Sequence, residues 1–224
     1  MYRKSLLISF ILFAGSFLSA GASAAGVDAA VADIGHRWAK ATYQTPEGAQ
    51  APAFEAVVDE AQKAMQEYPG NVGPMVWKAI ALASAANAEG GLGALRKVKE
   101  ARELLLKAEA IDPNALDGSI YCTLGSLYAK VPGWPLGYGD EGKAEKYFEK
   151  ALFVNPTGID PNYFYADFLA DRGDYAKAVI YLEHALAAPM RPGREDADAG
   201  RRREALHMLA TIRANHPDQL ASNW

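Results

Sequence analysis

The sequence predicts an all-α protein built as a stack of about four helical hairpins with a C-terminal capping helix, and three observations carry that expectation. Residues 101–113, 144–156 and 178–189 align on one another, each with a small residue, a bulky apolar residue four on, a second alanine three further and a closing proline. The residues are Ala101, Leu105, Ala108 and Pro113; Ala144, Phe148, Ala151 and Pro156; and Ala178, Leu182, Ala185 and Pro189. This spacing marks one stripe of a 3.6-residue helix, narrow enough for close packing and ended by a residue that cannot continue it. The last two copies begin 34 residues apart, at Ala144 and Ala178. No segment alternates with period two for long enough to read as a strand.

Proline and glycine punctuation divides the chain into helices near 27–43, 53–68, 73–88, 93–111, 115–130, 140–154, 161–172, 175–187 and 197–214. The first hairpin rests on Trp38, Phe54, Val57, Ala61 and Ala64, ending at Pro69. The second pairs Trp77 and Ala81 with the Ala101 stripe and carries extra residues around Gly90, Gly91 and Gly93. In the third, Leu124, Gly125 and Tyr128 lead to the Ala144 stripe through an insertion of about seven residues between Pro132 and Gly139. The fourth has Ala166 and Leu169, a turn at Gly173, and Tyr175 before Ala178. The terminal helix sets Arg201, Arg202, Arg203 and Glu204 beside Ala205, Leu206, Leu209 and Ile212. One charged and one apolar face are what a cap needs, since an open stack leaves its last apolar surface wet.

The run from Asn162 to Ala178, through Tyr165, Ala166, Leu169, Gly173 and Tyr175, resembles the core of a tetratricopeptide repeat, whose period is 34 residues. The resemblance covers residues 28 to 190 and implies a right-handed superhelical stack with repeats at about 28–69, 71–113, 114–156 and 157–190, capped by a helix at about 197–214. Within that superfamily the long inserted turn, the phrase from Lys130 through Val131, Pro132, Gly133 and Trp134 to Pro135, and the phrase from Asp160 through Pro161, Asn162, Tyr163 and Phe164 to Tyr165 are similar to the T-component proteins associated with TRAP transporters. That similarity implies an exported helper of organic-acid uptake.

Export is expected on independent grounds. Arg3 and Lys4 precede an uncharged run from Ser5 to Leu18, followed by small residues ending at Ala22, Ser23 and Ala24, the charge, length and cleavage chemistry of a signal peptide. The run is 14 residues, short of the ~20 that span a bilayer, so residues 1–24 read as a leader cleaved near Ala24 rather than an anchor. A periplasmic or otherwise secreted domain of residues 25–224 is expected, with no stable membrane anchor and, without a cysteine near the start, no lipid attachment there. Removing Arg3 and Lys4 leaves 21 Lys plus Arg against 27 Asp plus Glu, a net charge of −6 that does not invite nucleic acid. Cys122 is the only cysteine, so no intramolecular disulfide can form; within a helical stretch it reads as a half-buried, inert thiol.

Catalytic and metal chemistry finds little support. Residues 137–144, from Gly137 through Gly142 and Lys143, satisfy P-loop spacing except that Ala144 stands where Ser or Thr would hold Mg²⁺. No strand can precede them, because Pro132 and Pro135 remove ladder donors; an inserted turn leading into a helix capped by Asp140 is expected instead. His36, His184, His207 and His216 are scattered without metal-pair spacing, and no nucleophile elbow is present. The reading is therefore a non-enzymatic protein with no cofactor, no metal and no catalytic residues. Arg191, Arg194, Arg201, Arg202 and Arg203 lie among Glu195, Asp196, Asp198 and Glu204, so ordinary surface salt bridges such as Asp198 with Arg202 are expected.

The aromatic run Tyr163, Phe164, Tyr165 and Phe168 covers more of a helix than one core face needs. The repeat register implies that Tyr165 packs between helices while Tyr163 and Asp167 face a concave surface with Lys78, Leu82, Cys122, Ser126 and Lys130. Trp134 and Tyr138 of the inserted loop are expected to fold over it. Lys78, Leu82, Ser126, Lys130, Trp134, Tyr138, Tyr163 and Asp167 are thus the candidate binding residues: ring faces with a few polar anchors, suited to a peptide or a small amphiphilic carboxylate. The bland alternative is that the rings pack the loop onto the scaffold. Two functions follow: a scaffold recognising a protein or peptide partner on the concave face, or a TRAP-associated protein binding a small organic acid.

Overall fold

The computed structural model describes residues 18–221. Among them are ten helices and no strand: α1 (Leu18–Tyr43), α2 (Glu47–Glu67), α3 (Val72–Glu89), α4 (Gly91–Ile111), α5 (Ser119–Lys130), α6 (Glu141–Val154), α7 (Ile159–Asp171), α8 (Tyr175–Ala187), α9 (Glu195–Asn215) and α10 (Pro217–Ala221). The charged start of the expected leader lies outside the described residues, and α1 runs through the expected cleavage position. No helix among the described residues is long and apolar enough to cross a membrane.

The alanine stripes hold the fold together. Ala101, Leu105, Ala108, Ala144, Ala151, Ala178, Leu182 and Ala185 are fully excluded from solvent, and Phe148 nearly so. Methyl-sized positions on α4, α6 and α8 let these helices lie close against α3, α5 and α7 in antiparallel pairs. Gly125 on α5 is part of the same device: a Cβ there would sit 2.8 Å from the Phe148 ring, so the ring lies directly on the α5 backbone.

Where boundaries differ from expectation, backbone chemistry explains it. The helix expected from 115 starts at Ser119, because Leu116, Asp117 and Gly118 all take positive φ (53°, 50° and 87°). Gly118 closely approaches the carbonyl of Ala151, and Asn155 Nδ2 donates to the Asp117 carbonyl, fixing this turn against α6. Helix α2 begins at Glu47 rather than 53, tolerating Pro52 at the loss of one ladder bond near its start. Asp140 caps α6 through its side chain, accepting from Lys143 N at 3.0 Å. The P-loop-like segment is therefore an inserted turn.

The odd-numbered helices form the inner layer, with contacts running α1 to α3, α3 to α5, α5 to α7 and α7 to α9, while α2, α4, α6 and α8 lie outside. Helix α9 packs on α7 and α8 and also reaches α1, which joins the ends of the inner layer into a ring. The closure is specific. Gly200 of α9 accepts the Tyr43 ring where a Cβ would stand 2.3 Å from it, Tyr43 Oη donates to Glu204 at 3.2 Å, and His36 Nδ1 meets Asp196 at 3.3 Å.

Candidate functional site

The ring surrounds a half-open cavity of about 760 Å³. Its walls come from inner-helix faces and from the edges of α2 and α4: Trp38, Phe54, Trp77, Ile80, Leu95, Val98, Leu127 and Phe164 give apolar surface. From Trp77 to Asn87 the α3 wall runs over eleven residues, about 15 Å of helix. The hydroxyls in the wall are spent as donors: Thr42, Ser84, Thr123 and Ser126 each bond the carbonyl four residues back. Trp38 Nε1 is likewise committed, to Ser84 Oγ at 2.9 Å.

Charged groups gather at the two ends. At one, Lys130 of α5 pairs with Asp167 at 2.9 Å and with Asp171. Burial opposes the ammonium's charge, but these carboxylates outweigh it and raise its pKa. At the other end, Asp160 accepts from Arg191 Nη1 at 2.8 Å and from Arg201 Nε at 2.9 Å. Arg201 also holds Glu204 at 2.6 Å, and its guanidinium lies against the rings of both Tyr163 (4.5 Å) and Phe164 (4.4 Å). Asp198, wholly buried, accepts from the backbone N and Nε of Arg191. Burial alone would raise the Asp160 carboxyl, yet Arg201, Arg191 and Arg194 reverse it and hold it at about 2. Burial likewise opposes the charge of Arg201, but Asp160, Tyr43 and Glu204 more than restore it.

Arg194, in the turn before α9, behaves differently. Its guanidinium lies 5.1 Å from the Trp77 ring centre, its Nε is buried without a partner, and its side chain makes no hydrogen bond or ion pair among the described residues. Burial lowers its pKa, and neighbouring Arg191 adds to the effect. It remains a cation at neutral pH, as arginine does.

A sequence model of the TRAP transporter T-component family matches residues 31–213, from the inner part of α1 to near the end of α9. The chain belongs to the TRAP transporter T-component family. No curated protein matches it. Both phrases that suggested this family contribute to the cavity of this family member: Lys130, Val131 and Pro132 from the first, and Asp160 and Phe164 from the second, line it.

Of the residues picked from sequence, Ser126, Lys130 and Asp167 line the cavity. The others stand elsewhere. Lys78 is paired with Glu100 at 2.7 Å, and Leu82 is buried in the core. Trp134 is 89% exposed and covers nothing. Tyr138 packs edge-on against Tyr128 under the Arg102 guanidinium, donates to the Val98 carbonyl at 2.7 Å and borders a smaller hollow beside Leu95 and Val131. The loop turns away from the cavity because Gly139 folds back onto residues 131–132, where a Cβ would meet the Val131 carbonyl at 1.9 Å. Tyr163 supports Arg201 from behind, and its neighbour Phe164 takes the place in the wall. Tyr165 packs between helices, against Phe148, Phe168 and Tyr181.

The arginine segment corrects another expectation. It forms a largely buried network, not a surface one: Arg201 and Asp198 are buried, and Asp198 pairs with Arg191 in place of Arg202. Arg202 instead donates to the carbonyls of Leu186 and Ala188, satisfying the end of α8. Sequence reasoning passed over Arg194, Arg201, Asp160 and Glu204 as cavity residues. Their signal was the arginine cluster itself together with the Asp160 phrase.

Cys122 lines the cavity yet is buried rather than half-buried, and burial pushes its thiol well above the usual range, with Asp160 adding to the shift. The folded protein at pH 8 is expected to resist Ellman's reagent and to release one equivalent in guanidinium chloride. Full reaction under native conditions would mean the cavity wall opens far more readily than its packing indicates. Among the described residues no three His, Cys, Asp or Glu side chains are grouped as metal ligands.

Proposed function

We propose that this chain is an exported, non-enzymatic accessory protein of a TRAP-type uptake system that holds a small amphiphilic organic ligand in the ring cavity. The single observation that supports this reading most is the cavity's form: about 760 Å³, apolar along its length and charged at its ends. Small-ligand pockets occupy roughly 300–1,000 Å³ with the same division of labour, apolar walls for area and few polar groups for orientation. A scaffold gripping an extended peptide would want a groove open along the inner layer, and the contact of α9 with α1 runs against that. Membership of a TRAP transporter family supports the setting, and the leader-like residues 1–24 support export.

The reading is tested by calorimetry and thermal shift of the purified protein against medium-chain carboxylates, alcohols and short peptides. A cavity ligand at 100 times its Kd is expected to stabilise the fold by about 2.7 kcal/mol. Filling the space with Ala83→Trp is expected to abolish binding while helical circular dichroism is retained, since Ala83 lines the cavity. Peptide binding that survives Ala83→Trp, with no small ligand bound, would return the scaffold reading to first place.

A further inference from the structure

We propose that Arg194, backed by the face of Trp77, anchors a single carboxylate head group, and that the cavity's ligand is a monocarboxylate with an extended apolar tail. This deepens the cavity-binding reading and rests on it. Every other charge lining the cavity is already answered. Lys130 is held by Asp167 and Asp171, Arg201 by Asp160 and Glu204, Asp160 by Arg191 and Arg201, and Glu204 by Arg201 and Tyr43. Arg194 alone among these cations makes no ion pair among the described residues, and its buried Nε has no acceptor. A half-buried guanidinium laid on an indole face, answered only through space by Asp160, Asp198 and Asp196 and with no acceptor on its N–H groups, is incompletely compensated, and a planar carboxylate matches that fork. An incoming ammonium would meet only carboxylates that are already paired. A neutral head group would give the Arg194 N–H groups a weaker acceptor than a carboxylate does.

The number of head groups follows from the same count. Beyond Arg194 the uncharged walls are Trp38, Phe54, Ile80, Leu127 and Phe164, hydroxyls whose protons are committed, the Gln50 amide, which donates to the Thr42 and Thr45 carbonyls, and the exposed Asn87 amide. A second carboxylate on the ligand would find no unpaired cation in the walls and would have to break the Lys130 or Arg201 pairs to gain one. The space, walled along about 15 Å of α3, therefore suits a ligand with one charged end and one apolar end.

The test compares octanoate, octanol and octanedioate by calorimetry on the purified protein and on Arg194→Gln. The expected result is octanoate at least tenfold tighter than either other probe. In Arg194→Gln the octanoate affinity is expected to fall at least tenfold, with octanol unchanged and Arg194→Lys restoring part of the loss. The side chain makes no hydrogen bond and contributes only its contact with the Trp77 face and its attraction to Asp160, so the ligand-free variant is expected to fold and to melt within a few degrees of the parent. If octanol and octanoate bind equally and Arg194→Gln changes neither, the anchor is refuted while cavity binding stands. Tight octanedioate binding would refute the single head group. Binding of none of the three would overturn the cavity reading itself. Were Arg194→Gln not to fold, the parent's preference for octanoate over octanol would still decide, equality refuting the proposal.

Discussion

Replacing Asp160 with alanine is expected to destabilise the fold by about 3 kcal/mol, lowering Tm by roughly 6–12 °C. Asp160 is where two buried or half-buried guanidiniums meet, Arg191 at 2.8 Å and Arg201 at 2.9 Å, with Arg194 nearby. Removing it leaves three cations facing Asp198 and Glu204, in surroundings where an unanswered charge is expensive. The loss stays near the lower end of the range for broken buried pairs because each bonded arginine keeps a second carboxylate. The pH dependence gives an independent check. The folded carboxyl sits at about 2 against its ordinary 3.8, so it favours the folded state when ionised. Its contribution, about 2 kcal/mol, is complete above pH ~4 and is lost as pH falls through ~2. Asp160→Asn should therefore differ from the parent at pH 6 and converge with it towards pH 2. Parallel stability curves over that window would show that the network does not hold α7 to α9 as described.

The parts of this molecule legible in the sequence are those repeated in it. Ala101, Ala144 and Ala178 recur with a bulky partner four on, and such a pattern survives in any single sequence because each copy solves the same local packing problem. Ring closure has no such trace. His36 and Asp196, or Tyr43 and Glu204, lie some 160 positions apart and meet once, through a glycine whose purpose is visible only with Tyr43 on top of it. The charge network was misread for a related reason. Asp198 and Arg202 are spaced for an ordinary helical pair, but the open carbonyls at the end of α8 claim Arg202, and the turn before α9 delivers Arg191 to Asp198 instead. Tyr163 and Phe164 differ by one position, about 100° around the helix, so a small error in register exchanges wall for support.

Phe148→Ala carries the largest expected loss of all, about 3–5 kcal/mol, read as a fall in the guanidinium chloride midpoint with the m-value unchanged. The ring is 2% exposed and packs on Phe168 at 5.3 Å and Tyr165 at 6.1 Å, so it ties the outer helix α6 to α7 while resting on the α5 backbone. Its removal leaves a void that cannot easily collapse, because Phe168 and Tyr165 against it belong to one continuous buried core. The partner variant tells whether this contact is the reason for the glycine. Gly125→Ala alone pushes a methyl to 2.8 Å from the ring and is expected to lose about 1–3 kcal/mol by overpacking. Combined with Phe148→Ala the same methyl enters the void, so the double variant should be more stable than the sum of the single losses predicts. Strict additivity would mean that Gly125 is retained for some other cause, and that α5 and α6 are held together by the alanine stripe alone.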